Sequence, residues 1–453
     1  MTGATAYDAI VIGWGKGGKT LAAFLAARGD SVLMVEQSDQ MFGGTCINIG
    51  CVPTKAMVES ANHPSLSADD SVRYLDAIQR KNALTSLLRG KNFAMVDTHE
   101  SATVLTGRAR FAGPHEIEVS AGDERVRATS ERILINTGAV PVLPPIPGLD
   151  GPRVLTSTEL VDETELPARL VVIGAGAIGL ELAAAYRAFG SQVTVVDAVD
   201  RLLPREDDDV VEAVRDVLEE EGIAFVLGAR VDRVEDTTDA AVVHLDGGRS
   251  LAADRVLVVV GRRPATDDLG LDVAGIQTTD QGAVRVDEQL RTSVEGVWAV
   301  GDVNGGPQFT YTSLDDHRIV RDQLLGGATR STTDRVAVPS TTFITPPLAR
   351  VGLSEREARD AGRSIKVAKK SIDTIAAMPR ARIVGDTRGL LKVVVDAETD
   401  LVLGAAVFCV DSQEIINLIC LAMRHDVTAS ELRDSIWTHP SSTEALNEVL
   451  GTI

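Results

Sequence analysis

Residues Tyr7–Gly18 read YDAIVIGWGKGG. The apolar run Tyr7–Ile12 fits a strand buried on both faces, as in a parallel sheet. Gly13, Gly15 and Gly18 then fall in G-x-G-x-x-G spacing, and KTLAAFLAARG follows with helical character. A second apolar strand, SVLMVE, ends on Glu36, 18 residues after Gly18. The same order returns further along the chain. Leu170–Ile173 leads into Gly174, Gly176 and Gly179, then LELAAAYRAFG, then QVTVVD ending on Asp197, again 18 residues after the third glycine. In such a loop the first glycine makes a tight turn and the second lets a pyrophosphate approach the backbone. The third lets the helix pack on the strand, with its N-terminus towards the phosphates. The acid closing the second strand suits a ribose hydroxyl. One such loop is a weak signal, because any tight strand–helix turn uses glycine. Two, each in full βαβ context with its acid, point to an α/β fold with two Rossmann-like dinucleotide-binding domains.

The remaining composition is that of an ordinary globular protein. There are 453 residues, 44% apolar and 24% charged. That length suggests about three domains. Asp plus Glu number 65 against 45 Lys plus Arg, a net charge of -20. Nucleic acid and anionic membranes both need a basic patch, so neither is expected as a partner. The N-terminus lacks a basic region followed by a long apolar run, and no stretch approaches 18 uninterrupted apolar residues, so no signal peptide and no membrane span are expected. The expected location is the cytoplasm.

Boundaries follow from local composition. Pro141–Pro152 (PVLPPIPGLDGP) reads as a linker. Val256–Pro264 closes the second βαβ unit, and Val297–Val303 (VWAVGDV) is an apolar strand that returns to the first domain. After Ser331 the pattern becomes α+β. The domains are therefore drawn at 1–150 with 265–335, at 151–264, and at 336–453. The acidic run Arg205–Asp209 (REDDD) is expected at a solvated helix start.

Only four cysteines occur, and Cys46 and Cys51 lie five apart in Gly43–Lys55, GGTCINIGCVPTK. In a regular helix, Cα atoms five apart are about 8.6 Å from each other. A disulfide needs less than about 7 Å. The two can bridge only if the turn is distorted, which Gly50 permits, and Pro53 suits the first turn of a following helix. A thiolate at a helix N-terminus near a cation such as Lys55 has a lowered pKa. Two reduced structural cysteines, or half of a zinc site, are the other readings of the pair. Zinc needs two more ligands, which no CxxC or HxxxH supplies, so no metal site is expected. Cys409 and Cys420 sit in apolar patterns and read as core. Near the C-terminus, Pro440 projects His439 from a turn, where a carboxylate such as Glu444 reaching one ring nitrogen would fix the tautomer for acid–base work; on these residues alone such a pair is more often structural.

With these residues in view, the chain resembles the class I pyridine nucleotide–disulfide oxidoreductases, the flavoenzyme family of dihydrolipoamide dehydrogenase, glutathione reductase and mercuric reductase. The likeness runs along the whole chain. Its marks are GGTCINIGCVPTK, INTGAVP (Ile135–Pro141), AVGDV (Ala299–Val303) and HPSSTE (His439–Glu444). The resemblance implies FAD on the first unit, with Glu36 on its adenosine ribose and Asp302 and Gly301 at the ribitol chain. Gly44, Thr45, Lys55, Thr137, Gly138 and the Ala109 backbone would complete that site. NAD(H) would lie on the second unit near Gly261, with Asp197 disfavouring a 2′-phosphate. Glu181 would sit near the nicotinamide and pair with Lys55. Cys51 would be the flavin-side, charge-transfer thiolate. Cys46 would be a low-pKa thiol that attacks substrate. His439, oriented by Glu444, would be the acid–base group supplied by the second subunit of a homodimer built on the third domain.

Within the family, GKGGKTLA, YTSLDDHRIVRDQLLG, TPPLARVG and MPRARIVGDTRG are most similar to the reactive-chlorine-resistance flavoenzymes, and His317 departs from the Tyr expected there. That resemblance implies electron transfer from NADH to a reactive oxidant such as hypothiocyanous acid, or to a metal ion such as copper(II). Dihydrolipoamide, a low-molecular-weight disulfide and mercuric ion are the alternative substrates. The chain ends NEVLGTI, without the vicinal Cys pair usual in mercuric reductases. A flavin-binding redox sensor without turnover is a third reading.

Overall fold

A computed structural model of the chain describes residues 4–62 and 69–453. They form two compact units. The first comprises residues up to 56, 77–142 and 261–334; the second comprises 57–76, 143–260 and 335 to the C-terminus.

At the centre of the first unit lies a five-stranded parallel sheet. Its order is Val297–Ala299, Ile133–Ile135, Ala9–Ile12, Val32–Glu36, Ala102–Thr106. Val11 pairs with Leu134 on one side and Met34 on the other. All four residues of Ala9–Ile12 are buried, because a central strand with both faces covered is apolar throughout rather than alternating. The helix Lys16–Ala26 covers one face with Leu21, Ala22 and Leu25. A four-stranded sheet (5–6, 124–129, 116–121, 108–113) and the strand pair Ala139–Pro141 with Arg262–Pro264 complete the unit. Pro141 thus ends a strand, and the irregular connection begins after it.

The second unit repeats the first sheet. Its order is Val154–Thr156, Arg255–Val258, Arg169–Ile173, Gln192–Asp197, Ala224–Leu227, again all parallel. Ala177–Phe189 is the matching helix, closed by Gly190 in the left-handed region. Residues 340–408 add an antiparallel five-stranded sheet in the order 340–342, 348–352, 402–408, 390–396, 365–371. The helix Ser412–Arg424 packs on it through Ile415, Ile416 and Ile419. Cys409 and Cys420 are buried in that core.

The acidic run lies at a helix start but is solvated only in part: Arg205 and Asp208 are exposed, whereas Glu206 and Asp207 are buried. Asp207 precedes the helix Asp208–Glu220, and the Lys392 ammonium lies 3.0 Å from Asp207 and 2.9 Å from Asp209. Lys392 is itself buried, so the carboxylates neutralise a charge brought from a distant strand.

Candidate active site

Both glycine loops have the turn their spacing predicts. Gly13 and Gly174 have φ of 95° and 120°, a region that only glycine enters freely. The two acids do the same local work. Glu36 accepts from the Trp14 N–H at 2.9 Å, and Asp197 from the Ala175 N–H at 2.7 Å. Each carboxylate therefore ties the end of one strand to the loop leaving its neighbour. The middle glycines differ. A Cβ on Gly176 would meet nothing within 4 Å, whereas one on Gly15 would lie 2.4 Å from Asn136 Oδ1. Buried Asn136 accepts from the Gly18 N–H at 2.8 Å and donates to Val300 O at 2.7 Å. Gly15 therefore makes room for this asparagine, a reason the spacing alone does not contain.

The residues fit the nucleotides that the loops imply. The helix after Gly176 carries no side-chain cap, which leaves N–H groups for a phosphate; in the helix after Gly15 the Gly17 and Gly18 N–H groups already donate to the Ser313 and Asn136 side chains. The space above Gly138 and Gly261 is also open. Thr137 is held in place, its hydroxyl donating to Ala265 O at 2.8 Å. Ala109 lies on the edge strand Arg108–Gly113. Gly44 packs against the glycine loop, where a Cβ would lie 2.9 Å from Gly15 Cα.

Burial pushes the Glu36 carboxyl up to about 7, against hydrogen bonds from Trp14, Gln37 and Ser38 that favour the charged form. The folded pKa lies above the unfolded value of 4.5. The folded chain therefore holds the extra proton across that window and loses stability as pH rises through it. Flavin-free protein is expected to lose about 3 kcal/mol between pH 4.5 and 7 from this group. Glu36→Gln should flatten that slope in calorimetric melts; an unchanged slope refutes the assignment.

The cysteine segment breaks where the distance argument requires. Cys46 lies in the short helix Gly44–Asn48, Ile49 leaves helical geometry at φ -137° and ψ 0°, and Cys51 begins the next helix, Cys51–Asn62. Gly50 is needed for close approach, since a Cβ there would lie 3.0 Å from Thr45 O. Asn48 donates to the Phe42 and Gly44 carbonyls at 3.0 Å and accepts from Arg89 at 2.8 Å, which fixes the short helix.

The two sulfurs are unequal. A hydrogen bond from Cys46 is the largest influence on Cys51. Against partial desolvation, and with help from the Thr310 hydroxyl, the Lys55 charge and the Cys51 N–H, it brings that thiol down to about 6. Thr310 Oγ1 lies 3.6 Å from Cys51 Sγ. Cys46 is pushed well up by its hydrogen bond to Cys51, by burial and by the Cys51 charge. The expectation of a low-pKa Cys46 therefore fails for the dithiol, because one thiolate opposes a second beside it. Cys51, at the helix start, takes the charge.

Arg262 donates to Ala139 O, and its charge acts on both Asp302 and Cys51. Burial raises the Asp302 carboxyl, with Arg262 opposing. Gly301 N–H is held by buried Asp316 at 2.6 Å. Thr310, Arg262, Asn136 and Asp316 all escape the sequence reading as site residues; Asn136 lies within INTGAVP and Asp316 within YTSLDDHRIVRDQLLG, but neither string reveals the loop its residue holds.

In the second unit, buried Glu181 accepts from the Phe343 N–H at 2.8 Å. His439 projects outward, its side chain 72% exposed, with Nδ1 2.7 Å from Glu444 Oε2. Burial works to raise Glu444, but His439 and the Ser441 N–H together hold it below its ordinary value. The contact places a proton on Nδ1 and leaves Nε2 free. Among the described residues, no group of three or more His, Cys, Asp or Glu is placed to hold a metal ion, and no helix is long and apolar enough to cross a membrane.

Residues 7–316 match the family described as pyridine nucleotide-disulphide oxidoreductase, and residues 338–450 match its dimerisation domain. The chain belongs to the pyridine nucleotide–disulphide oxidoreductase family. It is 45% identical over 448 residues to the probable pyridine nucleotide-disulfide oxidoreductase RclA of Escherichia coli, covering 99% of each chain. It is 33% identical to a mercuric reductase of Bacillus cereus, covering 97% of this chain and 70% of that protein. A solved structure described as the Cu(II) complex of the HOCl-induced flavoprotein disulfide reductase RclA from Escherichia coli superposes with a TM-score of 0.95 at 44% identity, covering 99% of this chain and 100% of that one. The α/β fold with Rossmann-like parallel sheets and a C-terminal dimerisation domain is that of the family. The chain is an FAD- and NAD(P)H-dependent disulfide oxidoreductase.

Proposed function

We propose that this enzyme carries electrons from NADH, through FAD and the Cys46–Cys51 pair, to a reactive oxidant such as hypothiocyanous acid or to a metal ion such as copper(II). The observation that carries this reading is the thiol pair, Cys46 in one short helix and Cys51 opening the next with the Thr310 hydroxyl 3.6 Å from its sulfur, in a chain 45% identical to RclA. That relative is described as HOCl-induced and as a Cu(II) complex, which favours an oxidant or copper over dihydrolipoamide.

The FAD domain would comprise 1–150 and 265–335, the NAD domain 151–264 and the interface domain 336–453. The first glycine loop, Glu36, Gly44, Thr45, Ala109, Thr137, Gly138, Gly301 and Asp302 would hold FAD. The second loop, Glu181, Asp197 and Gly261 would hold the nicotinamide nucleotide, with Lys55 pairing to Glu181. Bound FAD supplies the two-electron link between nicotinamide and disulfide. With the pair reduced, the Cys46 sulfur attacks the sulfur of hypothiocyanous acid, giving its proton to His439. The oxygen leaves as water with that proton. The Cys51 thiolate then displaces thiocyanate and re-forms the disulfide. His439 and Glu444 would come from the second copy of a homodimer, working in the cytoplasm.

NADH oxidation by purified enzyme, compared across hypothiocyanous acid, copper(II), mercuric ion, dihydrolipoamide (with NAD) and a small disulfide, tests the reading. Fastest turnover with hypothiocyanous acid or copper(II) is expected; dominant dihydrolipoamide or mercury turnover overturns it, and no turnover with any acceptor indicates a sensor. The same assay tests cofactor choice. A 2′-phosphate would face the Asp197 carboxylate, so kcat/KM for NADH should exceed that for NADPH by about tenfold or more. Equal values would remove Asp197 from that role.

A further inference from the structure

We propose that Lys19 is a positioning residue for Cys46, its buried ammonium fixing the start of the short helix that carries Cys46 and placing a positive charge beside that sulfur. The inference rests on the reading that Cys46 is the attacking sulfur.

Lys19 lies in the helix Lys16–Ala26 and is 3% exposed. A lysine so deeply buried is ordinarily matched by a carboxylate. Among the described residues none lies within ion-pair distance of it. Its ammonium instead donates to two neutral acceptors, Gly43 O at 3.3 Å and the Asn92 side-chain oxygen. Gly43, at φ 106°, is the residue that starts the helix Gly44–Asn48. Asn92 is anchored in turn, since its amide donates to Leu88 O at 2.7 Å and its carbonyl accepts from Trp14 Nε1 at 3.3 Å. Lys19 therefore joins the glycine-loop helix, the long helix Asp70–Asp97 and the Cys46 helix.

The charge has a purpose that the contacts alone do not give. Two groups act to favour the Cys46 thiolate, the Thr310 hydroxyl and Lys19, and only Lys19 brings a full positive charge. Burial, with Lys16 beside it, pushes Lys19 down to about 8, and Cys46 works in the opposite direction. The group of opposite charge that acts on this buried cation is the Cys46 sulfur, one helical turn beyond the Gly43 carbonyl that the ammonium holds. In the dithiol Cys46 carries the proton it donates to Cys51, and Lys19 favours the sulfur once that proton leaves for His439 in the attacking step.

The test isolates Cys46 in the flavin-loaded Cys51→Ser protein, which removes the coupled thiol. Among the described residues of this chain, the titratable groups that then act on Cys46 and Lys19 are these two and Lys16; on the proposed reading the second copy's His439 also faces Cys46, and its titration is common to all the variants compared. The rate of Cys46 alkylation by iodoacetamide is followed by peptide mass spectrometry against pH. Adding Lys19→Gln, which keeps a donor for Gly43 O but no charge, should raise the midpoint by about one unit and slow alkylation at pH 7 about tenfold. Lys19→Arg should restore most of the original midpoint, which a purely structural role does not require. An unchanged midpoint in Lys19→Gln overturns the proposal. Should Lys19→Gln fail to hold flavin, Asn92→Ala decides, because freeing the ammonium from its side-chain acceptor must also move the midpoint; no movement overturns the proposal. If Cys46→Ser retained oxidant turnover, the reading of Cys46 would fail on its own, while the alkylation midpoint would still report on Lys19.

Discussion

Cys51→Ser is expected to lower NADH-driven oxidant reduction by about three orders of magnitude or more, because without Cys51 the disulfide that takes the electron pair from the flavin cannot form and the adduct on Cys46 cannot be resolved. Cys46→Ser should be as severe, yet the two variants should differ in spectrum. On the proposed division of roles, the Cys51 thiolate lies against the flavin, so wild type reduced with one equivalent of NADH should show a long-wavelength thiolate–flavin band. Cys46→Ser should keep a band and Cys51→Ser should lose it. The pH dependence follows from the direction of the shift. Cys51 is an acid whose pKa is brought down to about 6, chiefly by the hydrogen bond from Cys46. The band should be full at neutral pH and fade as pH falls through about 6. In Cys46→Ser a hydroxyl can still donate to Cys51, so the midpoint should rise only modestly. A band that survives in Cys51→Ser would falsify the assignment of Cys51 as the flavin-side sulfur.

These expectations rest on features with different visibility in the chain. The two glycine loops, their closing acids and the break between Cys46 and Cys51 are local: every interacting pair lies within about one supersecondary unit, and residue spacing reports it. The structure even deepens the repeat, since Glu36 and Asp197 accept from corresponding loop N–H groups. The environment that tunes the sulfurs is not local. Thr310 is 259 residues from Cys51, and Asn136 is 118 from Gly18. A threonine opening a helix has no mark that separates it from an ordinary helix start. The burial of part of Arg205–Asp209 is hidden for the same reason, because the lysine paired with Asp209 lies 183 residues away. The expectation for Cys46 failed for another reason. Helix position and a nearby cation act on one sulfur at a time, whereas two thiols sharing a proton titrate as one pair.

His439→Ala is expected to reduce oxidant turnover by about a hundredfold or more, in the range of general acid–base contributions. The defect should fall on the step between dithiol and oxidant and leave NADH-driven reduction of the enzyme unchanged in stopped-flow traces. Glu444→Gln should cost less, about tenfold, because an amide oxygen still accepts from Nδ1 while the charge that stabilises the protonated ring is gone. The exposure of His439 sharpens the test. Its side chain is 72% exposed and its Nε2 is free, the arrangement expected of a ring presented to a second copy of the chain rather than to its own core. Mixing Cys46→Ser with His439→Ala subunits decides this. If the histidine serves the partner's cysteines, half of the dimers are mixed, each has one intact site, and about a quarter of wild-type activity returns. If His439 serves its own chain, every site in the mixture carries one lesion and activity stays at the level of the separate variants.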